Sequence, residues 1–267
     1  MTALPVRELT ITVAGRQIAA RIWGEMTAQS VIVLLHEGLG SISMWRDFPS
    51  DLAAATGCSV LAYDRFGYGQ SDPQSLPWSL DYMHHEALVH LPEILRAAGI
   101  ERVILLGHSD GASIALIHAG GTQNFGLRGL VLIAPHLFVE DVSIRSIEAA
   151  REAYRSGDLR ARLARHHRDP DHAFLGWNGA WLDPGFRDWR IDEYVPTIRV
   201  PVLAVQGDAD EYGTEAQLAP LLSDAYCPVA VHWLAGAAHA PHLTHRAAVL
   251  DRVVPFVARI RRLNEVI

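Results

Sequence analysis

The chain has 267 residues, of which 49% are hydrophobic and 20% are charged, so it carries enough apolar side chains for a large core and is not of a disordered class. Its formal net charge of −7 and the lack of a basic patch argue against nucleic acid as a partner. Its longest apolar stretches are only a few residues long, whereas a membrane span needs about 20.

Two further features predict a cytoplasmic protein. Residues 1–13 alternate between polar and apolar types and lack the apolar block of a signal peptide. The two cysteines, Cys58 and Cys227, lie beside strand-like runs and are interpreted as small buried hydrophobes, which suits a reducing compartment.

Strand-like and helix-like segments alternate along most of the chain. Polar–apolar alternation on both sides of residues 14–16 predicts an opening β-hairpin, and later apolar runs predict strands buried on both faces. The predicted strands are 9–13, 18–23, 31–35, 60–63, 103–106, 130–134, 202–206 and 229–234. The predicted helices are 44–55, 82–98, 112–119, 214–222 and 246–263. This order favours an α/β fold with a mostly parallel eight-stranded sheet and helices on both faces.

One segment interrupts this alternation. Residues 136–195 contain no convincing strand, but they contain helical stretches at 144–155 and 159–166. A loop with four large aromatic residues is predicted to follow: Trp177, Trp181, Phe186 and Trp189. We therefore predict a helical lid at 136–195, inserted into a core domain made of 1–135 and 196–267.

The most informative motif is Gly107-His108-Ser109-Asp110-Gly111, which lies between a predicted strand and a predicted helix. This placement is typical of a nucleophile elbow, a sharp turn that exposes a serine hydroxyl and needs small residues where the backbone passes close to its neighbours. The N-terminus of the following helix offers N–H groups and a positive dipole end to an oxyanion. The motif predicts Ser109 as a nucleophile.

The elbow and several further motifs resemble those of the α/β-hydrolase superfamily, follow the order in which that family has them, and together span nearly the whole chain. Residues 35–41, LHEGLGS, are similar to its oxyanion loop, and residues 63–72, YDRFGYGQSD, to the turn after its fourth strand. Residues 206–210, QGDAD, and 236–239, GAAH, match the segments that carry its acid and its base. The resemblance implies the α/β-hydrolase fold with a helical cap, esterase-like or lactonase-like chemistry, and no cofactor.

The resemblance also implies the partners of the serine. A serine hydroxyl is a weak nucleophile at neutral pH, so it needs a base, which a carboxylate orients. The family places its base after the last strand, where His239 stands, with His242 as the alternative. Its acid follows a glycine by three residues, which favours Asp210 over Asp208.

The other histidines are interpreted as surface or core residues without a catalytic role. His239, His242 and His245 could be mistaken for metal ligands, as could the run of His and Asp residues at 166–172, but neither group has the pattern of a metal site. We predict no metal, and we interpret the run at 166–172 as a solvated helix end.

Two loops depart from the family's pattern. Glu37 replaces the usual glycine after His36, and Arg65 stands one place earlier than the usual arginine. The resemblance places the oxyanion hole at the N–H groups of Gly38 and Asp110. A lone carboxylate there would oppose the developing negative charge, so we interpret Glu37 as paired with Arg65. Two alternatives are that Glu37 binds substrate directly and that both changes are exposed loop variation.

The predicted substrate pocket lies between lid and sheet and contains Glu37, His136, Trp177 and Trp181, although the tryptophans can equally be packing residues. The predicted function is hydrolysis of a carboxylic ester, lactone or thioester through an acyl-enzyme. Alternatives are a carbon–carbon bond hydrolase of aromatic catabolism and a non-catalytic ligand-binding protein. The expected partner is a small acyl substrate, with neither nucleic acid nor membrane. The oligomeric state stays open, a homo-oligomer included.

Overall fold

The computed structural model describes residues 4–26 and 30–264, so the first three residues of the alternating stretch 1–13 lie outside the described part. Its strands are β1 (Val6–Val13), β2 (Arg16–Trp23), β3 (Val31–Leu35), β4 (Val60–Tyr63), β5 (Val103–His108), β6 (Leu127–Ile133), β7 (Val202–Gly207) and β8 (Val229–Leu234). They form one sheet in the order β1-β2-β4-β3-β5-β6-β7-β8. Only the pairs β1–β2 and β2–β4 are antiparallel. The predicted eight-stranded, mostly parallel sheet is confirmed, with only the strand ends shifted.

The central strands are buried on both faces. In β3, Val31, Val33 and Leu35 belong to the apolar core on one side of the sheet, whereas Ile32 and Leu34 belong to the core on the other side. Successive side chains of a strand point to opposite faces, so a strand between two cores must be apolar throughout. This explains why the strand is a continuous apolar run in the sequence.

The helices are α1 (Phe48–Thr56), α2 (Tyr82–His85), α3 (Leu91–Ala97), α4 (Asp110–Gly121), α5 (Asp141–Ser156), α6 (Leu159–Leu163), α7 (Pro170–Trp181), α8 (Ala219–Asp224), α9 (Pro241–Thr244) and α10 (Arg246–Asn264). None of the helices in the described part of the chain is long and apolar enough for a membrane span. Among the cysteines, Cys58 is buried but Cys227 is only half-buried, contrary to expectation.

Prolines explain three differences from the predicted helices. Pro49 stands in the first turn of α1, and Pro220 stands in the first turn of α8. A 3₁₀ turn therefore precedes each of these helices where a longer helix was predicted. Proline has no N–H and a fixed φ, which favours the first turn of a helix. Pro92 acts in the same way at the start of α3, and a π-helical turn, Glu86–His90, joins α2 to α3.

Helices α5, α6 and α7 all lie within residues 136–195, whose bounds as a lid stay a prediction. The predicted loop around Trp177 and Trp181 is wrong, because both residues lie on α7. This helix begins at Pro170, and the carboxylate of Asp169 accepts the N–H of His172 at its N-terminus. Trp177 and Trp181 are four residues apart and therefore share one helix face.

The predicted solvated helix end at 166–172 is also wrong in part. His167 is buried, and its ring links α6 and α7 to two loops of the sheet. Its Nδ1 lies 2.9 Å from the N–H nitrogen of Gly69, and its Nε2 lies 2.9 Å from the carbonyl oxygen of Leu39. Because Nδ1 accepts, Nε2 carries the proton and donates.

Candidate active site

Ser109 lies on a strained turn between β5 and α4. Its φ of 54° is in the region that favours glycine. A Cβ on Gly107 would lie 2.2 Å from the carbonyl oxygen of Gly111, and a Cβ on Gly111 would lie 1.9 Å from that of Leu35. A larger residue at Gly107 would therefore push β5 away from the start of α4, and one at Gly111 would push α4 away from β3, so packing requires the Gly-x-Ser-x-Gly spacing.

Asp210, His239 and Ser109 form a continuous chain of hydrogen bonds. The Nδ1 of His239 lies 2.8 and 3.0 Å from the two carboxylate oxygens of Asp210, and its Nε2 lies 2.9 Å from the Oγ of Ser109. Because Nδ1 faces a carboxylate, it carries the ring proton of the neutral form, and Nε2 accepts from the serine hydroxyl. The arrangement can therefore move a proton from Ser109 to His239.

Three groups besides His239 donate to the carboxylate of Asp210. The side-chain amide of Gln206 and the N–H of Tyr212 each donate at 2.8 Å, and the N–H of Gly213 donates at 3.3 Å. Burial alone would raise the pKa of Asp210, but these hydrogen bonds outweigh it and lower the pKa to about 2. Asp208 instead accepts the N–H of Gly236 at 2.6 Å, so the structure places Asp210 and not Asp208 against the base.

The other two histidines after β8 do not join this chain of contacts. His242 is buried behind the site, with its ring centroid 4.9 Å from that of Trp45 and 4.6 Å from that of His108. Burial lowers its pKa well below the usual value. His245 instead contacts the hydroxyl of Thr244. Within residues 4–26 and 30–264, no group of three or more His, Cys, Asp or Glu side chains is arranged to hold a metal ion.

Gly38 and Asp110, the residues expected to form an oxyanion hole, both line the cavity that contains Ser109. The N–H of Asp110 is at the first position of α4, where a helix has no internal acceptor for it. A Cβ on Gly38 would lie 2.0 Å from the Nε1 of Trp177, so helix α7 packs directly on this loop.

A cavity of about 270 Å³ opens beside Ser109 between the sheet and helices α5 and α7. All four residues that the sequence predicts for a pocket line it: Glu37, His136, Trp177 and Trp181. Ile147 and Tyr212 complete the apolar wall. These two residues were not predicted from the sequence, because no motif marks them and their place depends on how the helices pack.

A buried polar network supports one wall of the cavity. The hydroxyl of Tyr82 donates to the carboxyl group of Asp110 and accepts the indole N–H of Trp181 at 3.0 Å. Burial raises the pKa of Asp110, although Arg65 and the hydrogen bond from Tyr82 oppose this shift. The position of Trp181 is therefore set by a hydrogen bond as well as by packing.

His136 lies beside the base and is uncharged. Its ring centroid is 5.6 Å from that of His239 and 5.3 Å from that of Trp181. Burial, together with the neighbouring His239, lowers its pKa to about 3. Its buried Nδ1 has no hydrogen-bond partner among the described residues, so His136 lines the cavity as a neutral ring.

The predicted pairing of the Glu37 carboxylate with Arg65 is wrong. The carboxylate folds back over Gly40, where a Cβ would lie 2.3 Å from it, and one of its oxygens lies 3.5 Å from the Nδ1 of His108. Burial would raise the pKa of Glu37, but His108 holds it well below its usual range. Arg65 instead donates to the main-chain carbonyl oxygen of Glu37, at 2.9 Å.

His108 makes a further contact in the site that the sequence did not predict. Its Nε2 lies 2.8 Å from the main-chain carbonyl oxygen of His239, so the ring donates to the loop that carries the base. His108 occupies the variable position before Ser109 in the elbow, and the spacing of the motif gives no signal for this role.

Comparisons with known proteins agree with this fold. A model of the "Alpha/beta hydrolase family" matches residues 32–252. The chain is 28% identical over 129 residues to a proline iminopeptidase of Lactobacillus delbrueckii subsp. lactis, covering 48% of this chain and 44% of that protein. The chain thus spans less than half the length of that relative. It is 25% identical over 242 residues to a proline iminopeptidase of Thermoplasma volcanium, covering 75% of this chain and 80% of that protein.

Among solved structures, the enol-lactonase from Burkholderia xenovorans LB400 is similar to the whole fold. The TM-score is 0.72 at 19% sequence identity, and the match covers 94% of this chain and 100% of that one. The family model spans both the elbow with Ser109 and the segments that carry Asp210 and His239. The chain belongs to the alpha/beta hydrolase family.

Proposed function

We propose that this protein is a serine hydrolase that cleaves a carboxylic ester, a lactone or a thioester. The observation that carries the proposal is the chain of hydrogen bonds from Asp210 through His239 to Ser109, which ends in a cavity. Family membership and relatives named as hydrolytic enzymes support hydrolase activity in general.

In the proposed mechanism, Ser109 attacks the substrate carbonyl while His239 takes its proton and Asp210 stabilises the imidazolium. The N–H groups of Gly38 and Asp110 bind the oxyanion of the tetrahedral intermediate. Collapse of the intermediate breaks the bond to the leaving group, which receives the proton from His239. A water molecule that gives its proton to His239 then attacks the acyl-enzyme, and a second collapse releases the acid and restores Ser109.

The lining of the cavity supports an uncharged acyl group. Ile147, Trp177 and Trp181 give it an apolar wall, and the described residues that line it include no lysine or arginine. Its volume of about 270 Å³ suits a small acyl or aryl group better than a long chain.

Peptide cleavage is a second candidate. Both sequence relatives described above are named proline iminopeptidase, and Glu211 lines the cavity, where its carboxylate can attract an N-terminal ammonium group. Glu211 also accepts the N–H of His239 at 3.1 Å, which keeps its carboxylate close to the base.

A matched substrate panel tests these candidates on the purified protein. A fluorophosphonate probe should label Ser109, as read by mass spectrometry of the peptide that contains it. The panel compares nitrophenyl esters of acetate, benzoate and decanoate with a lactone, an acyl thioester, prolyl nitroanilide and a vinylogous diketone.

We expect acetate and benzoate esters to be preferred. Preference for prolyl nitroanilide would select the peptidase, and turnover of only the diketone would select carbon–carbon cleavage. A protein that neither reacts with the probe nor turns over any member would be non-catalytic.

The pH dependence of hydrolysis is a further prediction. The base must be neutral to accept a proton, so kcat/KM should rise with pH through a single step in the mildly acidic to neutral range. Asp210, with its pKa lowered to about 2, stays ionised in this range, and His136, with its pKa lowered to about 3, stays neutral. Neither should add a step. Initial rates with an ester that does not ionise give the profile, and a flat profile or two steps would contradict the prediction.

A further inference from the structure

Arg65 is a buried cation directly behind the loop that contains Gly38. Its side chain is 2% exposed. Among the residues that the structure describes, no carboxylate forms an ion pair with its guanidinium group, and the carboxyl groups of Asp110 and Glu86 act on it only from beyond 4.0 Å. Buried charges are usually paired, because an uncompensated charge in the interior is costly. The burial of this cation without an ion-pair partner therefore has to be explained by its other contacts.

The guanidinium contacts neutral acceptors of the loop. Its Nη2 donates to the main-chain carbonyl oxygen of Glu37 at 2.9 Å, and it lies over the ring of Tyr68 at 4.6 Å from the centroid. The main-chain N–H of Arg65 donates to the Nε2 of His36 at 3.1 Å. Since this Nε2 accepts, the Nδ1 of His36 carries the proton, and burial keeps the ring neutral by lowering its pKa.

Three donors converge on one carbonyl oxygen. The main-chain oxygen of Glu37 accepts from the Nδ1 of His36 at 2.8 Å, from Arg65 at 2.9 Å and from the N–H of Gly40 at 3.0 Å. This oxygen belongs to the same peptide unit as the N–H of Gly38. The unit is planar and trans, so its C=O and N–H point in opposite directions. Holding the oxygen on the inner side therefore turns the N–H of Gly38 away from Arg65, toward the side of the cavity.

We propose that Arg65 is a positioning residue of the oxyanion hole, which orients and polarises the peptide unit between Glu37 and Gly38. The proposal rests on the proposed function. A cation at the carbonyl oxygen draws electron density toward that oxygen and makes the N–H of the same unit a stronger donor. The donor is then fixed and polarised before the oxyanion forms at Ser109, so no reorganisation is needed during the reaction.

The alternative is that Arg65 only stabilises the fold. Both roles predict that its removal lowers the free energy of unfolding, so stability alone does not separate them. A role in the oxyanion hole predicts that removal of Arg65 weakens only the stabilisation of species that carry an oxyanion. Such a loss lowers kcat while KM changes little.

The test uses Arg65→Lys and Arg65→Met with Arg168→Met as the matched control. Arg168 also donates to a main-chain carbonyl oxygen, that of Ser71 at 2.8 Å, but the peptide unit of Ser71 is not next to the proposed oxyanion hole. For each variant we measure kcat and KM with the preferred ester, the affinity for a trifluoromethyl ketone whose adduct with Ser109 carries an oxyanion, and thermal unfolding.

We expect Arg65→Met to lower kcat by about 10²- to 10³-fold, the range for loss of an oxyanion-hole donor, with KM little changed. Affinity for the trifluoromethyl ketone should fall by a similar factor, while Arg168→Met stays close to the wild type. Arg65→Lys keeps the charge on a single ammonium group and should lose about 10-fold or more in kcat. If Arg65→Met does not fold, Arg65→Lys decides alone.

Two results would overturn the proposal. One is a folded Arg65 variant with unchanged kcat, and the other is a fall in kcat without a matching loss of affinity for the ketone. The reactivity of the wild type separates this failure from that of the proposed function. If a fluorophosphonate labels Ser109 of the wild type and Arg65→Met keeps its kcat, only the proposed role of Arg65 is rejected. If the wild type is not labelled, the proposed serine hydrolase activity is itself rejected.

Discussion

The Ser109→Ala variant is expected to lose about 10⁴-fold or more in kcat/KM while it stays folded. The substitution removes the Oγ atom that lies 2.9 Å from the Nε2 of His239, so no acyl-enzyme can form. The members of such a chain act as a unit, and what activity remains reflects only substrate binding and oxyanion stabilisation. The φ of 54° at this position is already strained for serine, and alanine adds no atom to the turn.

The measurement is kcat/KM with the preferred ester, together with fluorophosphonate labelling and circular dichroism. Ser113→Ala is the matched control, because it makes the same change one turn further along α4, where the hydroxyl donates to the carbonyl oxygen of His136. This control should keep its labelling. If Ser109→Ala kept about a tenth of the wild-type rate, Ser109 would not be the nucleophile.

The Asp210→Asn variant is expected to lose far more activity than Asp208→Asn. Loss of the orienting carboxylate costs about 10⁴-fold in serine proteases, because the histidine is then held in the wrong tautomer. In this protein, Asp210 lies 2.8 Å from the Nδ1 of His239, whereas Asp208 accepts the N–H of Gly236. Asp208→Asn keeps an oxygen acceptor for that N–H and should remain close to the wild type.

Both variants are compared by kcat/KM and by thermal unfolding under the same conditions. A larger loss of activity in Asp208→Asn than in Asp210→Asn would move the orienting acid to Asp208. Equal and small losses would show that the reaction does not need a charged partner for His239.

The fold and the turn at Ser109 could be predicted because their constraints are local, whereas Asp210 and His239 were assigned from the resemblance to the family. Gly107 and Gly111 are required by close backbone approaches within the turn itself, and those approaches leave a pattern in five consecutive residues. The continuous apolar run of β3 likewise follows from burial on both of its faces.

The predictions that failed depend on side-chain direction and on contacts between distant segments. The expected fold places the loops with Glu37 and Arg65 at the same edge of the sheet, but it does not show that the guanidinium binds the main chain while the carboxylate turns toward His108. The helix α7 was missed because Gly176 and Gly179 weaken its helical pattern. Gly176 is needed there, since a Cβ would lie 2.1 Å from Trp78, a contact that sequence cannot reveal.

The contacts that α7 and the segment before it make with residues 38 and 39 bear on how the substrate range of this protein can be engineered. Trp177 packs on Gly38, and His167 donates to the carbonyl oxygen of Leu39. An exchange of this whole segment for that of a relative would therefore disturb the residues next to the proposed oxyanion hole along with the pocket wall. Ile147 and Tyr212 line the same cavity from other elements, so libraries aimed at a new acyl group should begin at these two positions and leave α7 intact.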